Sequence, residues 1–510
     1  MHPYVLGALL FLFSIANILT SYLYLYPMVN YCSFPPQPER RDNVKIYPTQ
    51  YPPFRLLVLG DPQLEGDSSL IIPENGFYPS LTTLWSDVRA GKTTAERLEV
   101  LTTHLRELFT IDLPLLLQSY RKRLDLIGND FYLAHIYRTL HWTLLPTHVA
   151  VLGDLIGSQW VSDEEFERRG IRYWGRLFQK GRRVEDDVTN GIHISSLNVA
   201  DGVEGWSRRV INVAGNHDVG YAGDMTSDKL ERFERVFGKA NWETRFRLPI
   251  DHIEEGLEPV ELRLIVLNSL NLDTPVLDRD LQTDTYDFLN DVIGASKPVE
   301  DKTTGTILLT HLPLHKEAGV CVDGPLFNFH DEEHGGGVKE QNHLSYDASK
   351  GILEGIYGMS GDPSAPGEGA GRNGIILTGH DHEGCDVYHH LPNADDVSAR
   401  KWTAEKWNAR KWNKTSSEMD RSVPGIREIT VRSMMGDFGG NAGLLSAWFD
   451  PTTREWQFDY STCALGKQHI WWAIHILDII TIALLNYVGW SVFRSTKILV
   501  NQGSEKEKTL

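Results

Sequence analysis

The sequence predicts an α/β domain held between two membrane-spanning segments. Three observations carry that expectation. Six short apolar runs, residues 54–59, 148–152, 210–213, 262–267, 306–309 and 374–377, read as buried strands, and stretches of helical apolar spacing separate several of them. Each run breaks off into a polar tip, the pattern of a sheet whose chemistry gathers at the carboxyl ends of its strands. Both ends of the chain are apolar over lengths able to cross a bilayer.

The 510 residues are ample for a sizeable core, and 41% hydrophobic with 23% charged content is globular composition. The net charge of −18 argues against nucleic acid as a partner, since phosphate-backbone binding needs a basic face. A phosphate-bearing substrate stays open, because bound metal ions invert the local field.

Taken in order, residues 1–27 form the first span: residues 4–27 contain no charged side chain. A cleaved signal peptide would have a shorter apolar core led by basic residues, so an uncleaved anchor is expected. Residues 28–53, rich in Pro and charge, read as a stem, and residues 54–462 as the folded domain. The second span covers residues 469–493, with Arg494 and Lys497 on its far side. That basic flank makes residues 494–510 a cytosolic tail and the long middle lumenal. His475, Asp478 and Asn486 are costly inside hydrocarbon and are expected to face a neighbouring helix such as the first span. The sequon Asn413-Lys414-Thr415 lies in the middle, as a lumenal domain permits. The four cysteines, Cys32, Cys321, Cys385 and Cys463, allow three pairings. Cys32 and Cys463 each lie just inside a span, so a bridge between them would tie the two stems and leave Cys321 to Cys385; sequence alone leaves the connectivity open.

Residues 94–145 have helical spacing, with Pro114 expected to break the run and Gly128 to separate two helices. Ser162 followed by an acidic turn opens another helix, and residues 228–237 form an amphipathic one. Insertions are expected near residues 180–207, 320–372 and 395–422. The last, with Trp402, Trp407 and Trp412 at a spacing that fits neither helix nor strand, is read as loop. Residues 426–431 and 442–449 close the domain as strands.

The chemistry is concentrated in the polar tips. The run ending at Val213 breaks into Gly215-Asn216-His217-Asp218, where three polar side chains must each be satisfied or used. Across the strands the candidate donors are Asp61 and Gln63, Asp154, Asn216, His311, and His380 with His382. Singly, each is more readily a turn or cap residue. Together, at the same end of successive strands, they make a mixed oxygen–nitrogen set suited to divalent ions of the manganese, iron and zinc range.

The motifs GDPQ, GDLIGS, GNHD, THLPLH and GHDH, in that order over residues 54–450, resemble the calcineurin-like metallophosphoesterases. The longer string AGNHDVGYAGDMTSDKLERFERVFG resembles the membrane-bound endoplasmic-reticulum branch, and its fungal members in particular. That resemblance implies a four-layered αββα sandwich and a metal-dependent phosphoric diester hydrolase. It implies removal of ethanolamine phosphate from a mannose of the GPI-anchor glycan, which aids remodelling and export of GPI-anchored proteins. It further implies two divalent ions, Mn2+ foremost with Zn2+ or Fe2+ as alternatives. Asp61, Gln63, Asp154 and His382 would hold one ion, and Asp154, bridging, with Asn216, His311 and His380 the other. His217 would be the general acid and Asp218 its orienting partner. Gln63 departs from the wider superfamily, where His is usual, and a neutral amide oxygen is a weaker donor than imidazole. The implied partners are the membrane, GPI glycolipid or GPI-anchored proteins, cargo-export receptors and, through the tail, the COPI coat. Lys506 and Lys508 in KEKTL stand as a dilysine retrieval signal requires, so the expected location is the endoplasmic-reticulum membrane with cycling to the early Golgi. Two alternatives remain. One is a lumenal hydrolase of another phosphodiester or polyphosphate; the other is a non-catalytic metal-binding export factor.

Overall fold

A computed structural model describes residues 3–37, 51–66, 69–70, 76–197, 205–248, 259–391, 401–407 and 425–507. The Asn413 sequon, Trp412, Lys508 and the side chain of Lys506 lie outside the described residues.

The chain opens with helix α1 (Pro3–Val29) and strand β1 (Phe54–Leu59), then α2 (Pro79–Ala90), α3 (Thr94–Glu107) and α4 (Leu113–Leu144). Next come β2 (His148–Val151), α5 (Asp163–Arg172), β3 (Arg182–Arg183), α6 (Asp186–Thr189) and β4 (His193–Ser196). The central part holds β5 (Arg209–Asn212), α7 (Asn216–Val219), α8 (Ser227–Phe237), β6 (Trp242–Arg247) and β7 (Glu261–Leu267). It continues through α9 (Arg279–Gly294), β8 (Thr304–Thr310), β9 (Phe327–Phe329), β10 (Val338–Gln341) and α10 (Tyr346–Gly355). The last elements are β11 (Gly374–Thr378), β12 (Cys385–His390), β13 (Thr403–Lys406), β14 (Gly425–Thr430), β15 (Asn441–Asp450), β16 (Glu455–Ala464) and α11 (Gln468–Glu507).

The six apolar runs all form strands, and so do both closing segments. They belong to two mixed sheets, ordered β16-β15-β1-β2-β5-β3 and β13-β12-β14-β11-β8-β7-β6-β4. The neighbours β1, β2 and β5 run parallel in the first, as do β7, β8, β11 and β14 in the second. Period-two alternation divides each strand's side chains between two cores. Phe54, Leu56 and Val58 of β1 join Leu262 and Leu264 of β7 and Ile375 and Leu377 of β11 in one cluster drawn from both sheets. The intervening Leu57 and Leu59, with Ile265, Leu308 and Ile376, share the other cluster with helix residues such as Leu133, Phe233, Val292 and Leu353. This division puts the carboxyl ends of β1, β2 and β5 near those of β8 and β11, which positions the site.

Three expectations change. Pro114 stands in the first turn of α4, after a π-helical turn at Leu108–Asp112, so the helical path bends its hydrogen bonding there without stopping. Gly128 lies inside α4 and separates nothing; a Cβ there would sit 1.6 Å from Trp472 Cζ2, so this glycine is the notch that admits the second apolar helix. Part of the Trp-spaced segment read as loop is a strand, β13, paired antiparallel with β12 at a sheet edge. Edge strands carry polar residues, which erased the alternation that would have marked it.

Residues 4–29 and 468–497 are both helical, and long and apolar enough to cross a membrane. They pack together through polar contacts: Thr20 donates to the Asp478 carboxylate at 2.8 Å, and Tyr24 Oη lies 3.5 Å from His475 Nε2. His475 and Asp478 thus face the N-terminal helix, as expected, whereas Asn486 donates to Ile482 O on its own helix. Disulfides join Cys32 to Cys463 and Cys321 to Cys385. The first fastens the base of α1 to the end of β16, just before α11.

Candidate metal centre

Four of the strands that end at the site, β1, β2, β5 and β11, pass through a glycine and then a polar residue, while β8 runs from Thr310 directly into His311. Gly153, at φ +93°, lets the loop after β2 turn under His311: a Cβ there would lie 2.3 Å from His311 Nδ1. At Gly379 a Cβ would meet Leu152 O at 2.4 Å, so only glycine lets the loop after β11 lie against the loop after β2. Asp61, Gln63, Asp154 and His380 all hold φ between 43° and 74°, in the left-handed region. Such backbone costs about 1–3 kcal/mol per residue and persists where the surroundings over-determine it, typically at functional sites.

The loops converge on Asp154. Ligand-capable atoms of Asp154, His311 and His380 lie within 4.8 Å of one another, as do those of Asp61, Asp154 and His382. His311 is fully buried, and its Nδ1 donates to Leu152 O at 2.7 Å. That bond leaves the Nε2 lone pair pointing at Asn216 Oδ1, 2.9 Å away, and at Asp154 Oδ1, 3.4 Å away. Three acceptors thus face one another, an arrangement that a cation satisfies. His380 is held by Gln341 O, 3.0 Å from its Nε2, which leaves Nδ1 to face inward. Asp61 Oδ1 accepts from the His380 backbone at 3.0 Å, while its Oδ2 is buried without a partner. Gln63 donates its amide to Asp154 Oδ2 at 3.0 Å and lies 3.3 Å from His382 Nε2. The two expected donor groups are therefore brought together, with Asp154 in both.

The electrostatics agree with that fit. Burial, reinforced by the charge of Asp154, pushes the Asp61 carboxyl well above the usual carboxylate range. Burial pulls His380 down to about 3 and lowers His311 and His382, so the imidazoles are neutral at neutral pH, the form that binds a metal. An orphaned carboxylate oxygen, crowded carboxylates and neutral imidazoles together form a site that a divalent cation completes.

The third loop divides its residues differently. His217 donates its backbone N–H to Asp154 Oδ1 at 2.9 Å, and its ring, with Nε2 3.8 Å from Asp154 Oδ2, is 38% exposed. It stands on the open side of the group, whose Asp61, Asp154, Asn216 and His311 are buried. Asp218 does not orient that ring. Its fully buried carboxylate accepts from the backbone N–H groups of Gly215, Leu155 and Ile156 at 2.9, 3.2 and 3.0 Å. Among the described residues no hydrogen bond joins it to the His217 imidazole. The expected catalytic partner is instead a brace that pins the loop after β5 to the loop after β2, because a carboxylate at the first turn of a short helix finds free N–H donors nearer than any imidazole.

Sequence reasoning missed further supports. Ser433, three residues past the end of β14 at Thr430, donates through Oγ to Asp61 O at 3.2 Å and through its N–H to His382 O at 3.1 Å. Phe438 packs edge-on against His382 at 4.8 Å. Beneath the loop after β8 lies a buried ion pair: Glu428 accepts from Lys316 at 2.9 Å and from Leu314 N at 3.0 Å, with His389 on its other oxygen. A Glu inside the closing strand IREIT was the available signal. Despite burial, Lys316 and His389 hold the Glu428 carboxyl down to about 2. Its folded value is depressed, so its stabilisation is present above the unfolded value of about 4.3 and is lost as pH falls from there toward 2. Glu428→Gln should lower stability at neutral pH by about 3–5 kcal/mol, because Lys316 is left buried without a carboxylate. Melts of the purified chain should show a lower Tm at pH 7 and a flatter decline between about pH 4 and 2; identical melts would show that the pair is neutral in its effect.

Comparison with known proteins agrees with this geometry. No protein-family model matches the chain. Protein TED1 of Saccharomyces cerevisiae is 33% identical over 408 residues, covering 71% of this chain and 77% of TED1. An uncharacterized protein of Schizosaccharomyces pombe is 30% identical over 387 residues, with 70% and 79% covered. Metallophosphoesterase 1 of Danio rerio is 23% identical over 428 residues, with 81% and 89% covered. Among solved structures, GAP50, the anchor in the inner membrane complex of Plasmodium, aligns over 67% of this chain and 84% of its own at 8% identity and a TM-score of 0.30, too low to bear on the fold. The site's donors and these relatives converge: the chain belongs to the metallophosphoesterase family that includes yeast TED1 and the vertebrate metallophosphoesterase 1 proteins.

Proposed function

We propose that this chain is a dimetal phosphodiesterase of the endoplasmic-reticulum membrane that removes ethanolamine phosphate from a mannose of the GPI-anchor glycan. The observation that carries the chemistry is the convergence of two donor groups on the shared Asp154, with lone pairs of His311, Asn216 and Asp154 facing one another. In this reading Asp61, Gln63, Asp154 and His382 hold one ion, and Asp154, Asn216, His311 and His380 hold the other. A half-turn of the Gln63 amide brings Oε1 to the place its Nε2 now takes, since the two atoms are interchangeable in shape. The helix–sheet–sheet–helix order of layers belongs to the same reading and is supported by the split of the strands between two cores.

Two divalent ions, Mn2+ foremost, would supply charge to offset that on the phosphodiester oxygens and acidity to an attacking water. The chain's own work is then orientation and proton supply. The left-handed backbone at Asp61, Asp154 and His380 aims these donors inward, and Asp218 and Ser433 lock their loops. His217, on the open side, stands where it can give a proton to the departing sugar oxygen, which leaves poorly as an alkoxide.

The substrate and place rest on the relatives and the helices at both ends. Holding a hydrolase at a bilayer suits a substrate whose lipid is embedded there. Two disulfides among the described residues fit an oxidising lumen. The dilysine-like tail fits retrieval by a cytosolic coat, with cycling to the early Golgi, and GPI-anchored proteins and their export receptors are the partners that follow. Mass analysis of GPI anchors from cells lacking this chain should show extra ethanolamine phosphate on one defined mannose. An unchanged anchor profile would overturn the substrate assignment in favour of another lumenal phosphodiester.

A further inference from the structure

Between β1 and β2 the chain makes a long helical arm whose outer face is apolar and uncovered. Helix α3 runs into α4 through the π-turn at Leu108–Asp112, with helical dihedrals at both junctions. Along α4 the exposed Leu117, Tyr120, Leu124, Ile127 and Phe131 follow one another at steps of three and four, one face of the helix. Upstream, Leu98, Leu101, Leu105 and Phe109 repeat the pattern. The π-turn, with more residues per turn, absorbs the extra residues between Phe109 and Leu117 and keeps both halves of the stripe on one side. Trp85 on α2, 71% exposed, adds to it. So large an apolar surface on one arm marks a contact surface.

Its neighbours identify the contact. Where α4 enters the domain it touches both apolar terminal helices. Gly128 admits Trp472, Tyr132 packs edge-on to Trp471 at 6.2 Å, and His135 packs edge-on to Tyr24 at 4.8 Å. Trp471 and Trp472 begin α11, and Tyr22, Tyr24 and Tyr26 end α1, a cluster of amphipathic rings of the kind found at the headgroup level of a bilayer. The arm therefore crosses the spanning helices at the level of the interface. Beside the stripe Arg121 is exposed, in a loose surface pair with Asp125 at 3.6 Å, and Arg123 lies over the Tyr120 ring at 5.8 Å, cations placed to meet lipid phosphates.

We infer that the arm of residues 79–131 lies in the headgroup layer of the lumenal leaflet with its apolar stripe buried in lipid, and so holds the metal centre at the membrane surface. The link to the centre is direct: Lys122 on α4 pairs with Glu65 at 2.7 Å, two residues past Gln63. Arg172 bridges the Asp130 carboxylate of α4, at 2.7 Å, and the Glu65 carbonyl, also at 2.7 Å. A rigid arm fixed to the loop after β1 sets the height of the site above the lipid, as a substrate with a lipid-embedded anchor requires. This inference rests on the membrane reading of the two terminal helices.

The test uses the full chain in phosphatidylcholine nanodiscs, with an environment-sensitive fluorophore on one added cysteine at a time. The variants are Leu117→Cys and Leu124→Cys on the arm, Ile482→Cys in α11 and Asp284→Cys on α9. Lipids carry a quenching spin label either at the top or deep in the acyl chain. The expected result is loss of most emission at positions 117 and 124 with the shallow label, loss at 482 with the deep label, and none at 284. Quenching at 482 without quenching at 117 and 124 overturns the arm placement and leaves the spans standing. No quenching at any position overturns the spans and the arm together. Arm positions that escape lipid but cross-link to the same positions of a second copy would replace the bilayer by self-association and overturn the inference.

Discussion

Replacing His217 by Ala is expected to leave metal binding intact and to lower kcat on a phosphodiester by about 10²–10⁴-fold, the usual contribution of a positioned proton donor. The expectation follows from the position of the ring, 38% exposed beside Asp61, Asp154, Asn216 and His311, which are buried. Its backbone N–H, not its ring, holds Asp154 at 2.9 Å, and that bond survives truncation of the side chain. The fold around the site should survive as well, because Asp218 braces the loop independently of the imidazole. The loss should be smallest for a substrate whose leaving group departs without protonation, such as an aryl phosphodiester. Metal content measured by mass spectrometry beside kcat on both substrate types separates the roles. Full activity on an alkyl diester would remove His217 from the chemistry. Loss of metal along with activity would make it a support of the centre.

The motif loops were legible in the sequence because their physics is local. A buried apolar run that breaks off into a polar tip announces itself whatever the rest of the chain does, and all six such strands are present. The pairing of His475 and Asp478 with the first apolar helix was legible for the same reason, since hydrocarbon leaves a polar group few choices. What stayed hidden depended on contacts distant in sequence. Asp218 looked like a partner for the residue beside it, yet its oxygens are claimed by two N–H groups of the loop some sixty positions earlier, Leu155 and Ile156, together with that of Gly215 in its own loop. Gly128 looked like a helix breaker because its true neighbour, Trp472, lies more than three hundred positions away. Strands β13 and β16 escaped because edge strands mix polar with apolar residues, and β12 because its buried residues include two histidines. The apolar stripe of α3 and α4 was seen as helical spacing, and only the fold reveals that the stripe faces outward.

Asp154→Asn should have a different signature from His217→Ala, and the contrast is the sharper test of the centre. Asp154 is the one donor common to both groups, so its neutralisation would remove charge from both ions of the proposed pair at once. The wild-type chain should gain stability on adding a divalent cation, by about 2.7 kcal/mol when the free ion stands at a hundred times its dissociation constant. In Asp154→Asn that gain should nearly vanish, and turnover should fall to background. The variant should still fold: an Asn side-chain oxygen can accept from His217 N, and the raised Asp61 carboxyl is relieved of a like charge. Asp61→Asn, by contrast, touches only one donor group and should leave the second ion in place. Thermal melts with and without Mn2+, read beside metal content for the two variants, decide the matter. Two ions lost in Asp154→Asn and one in Asp61→Asn fits a shared bridge. Loss of one ion in each variant would mean that Asp154 serves a single donor group and does not join the two.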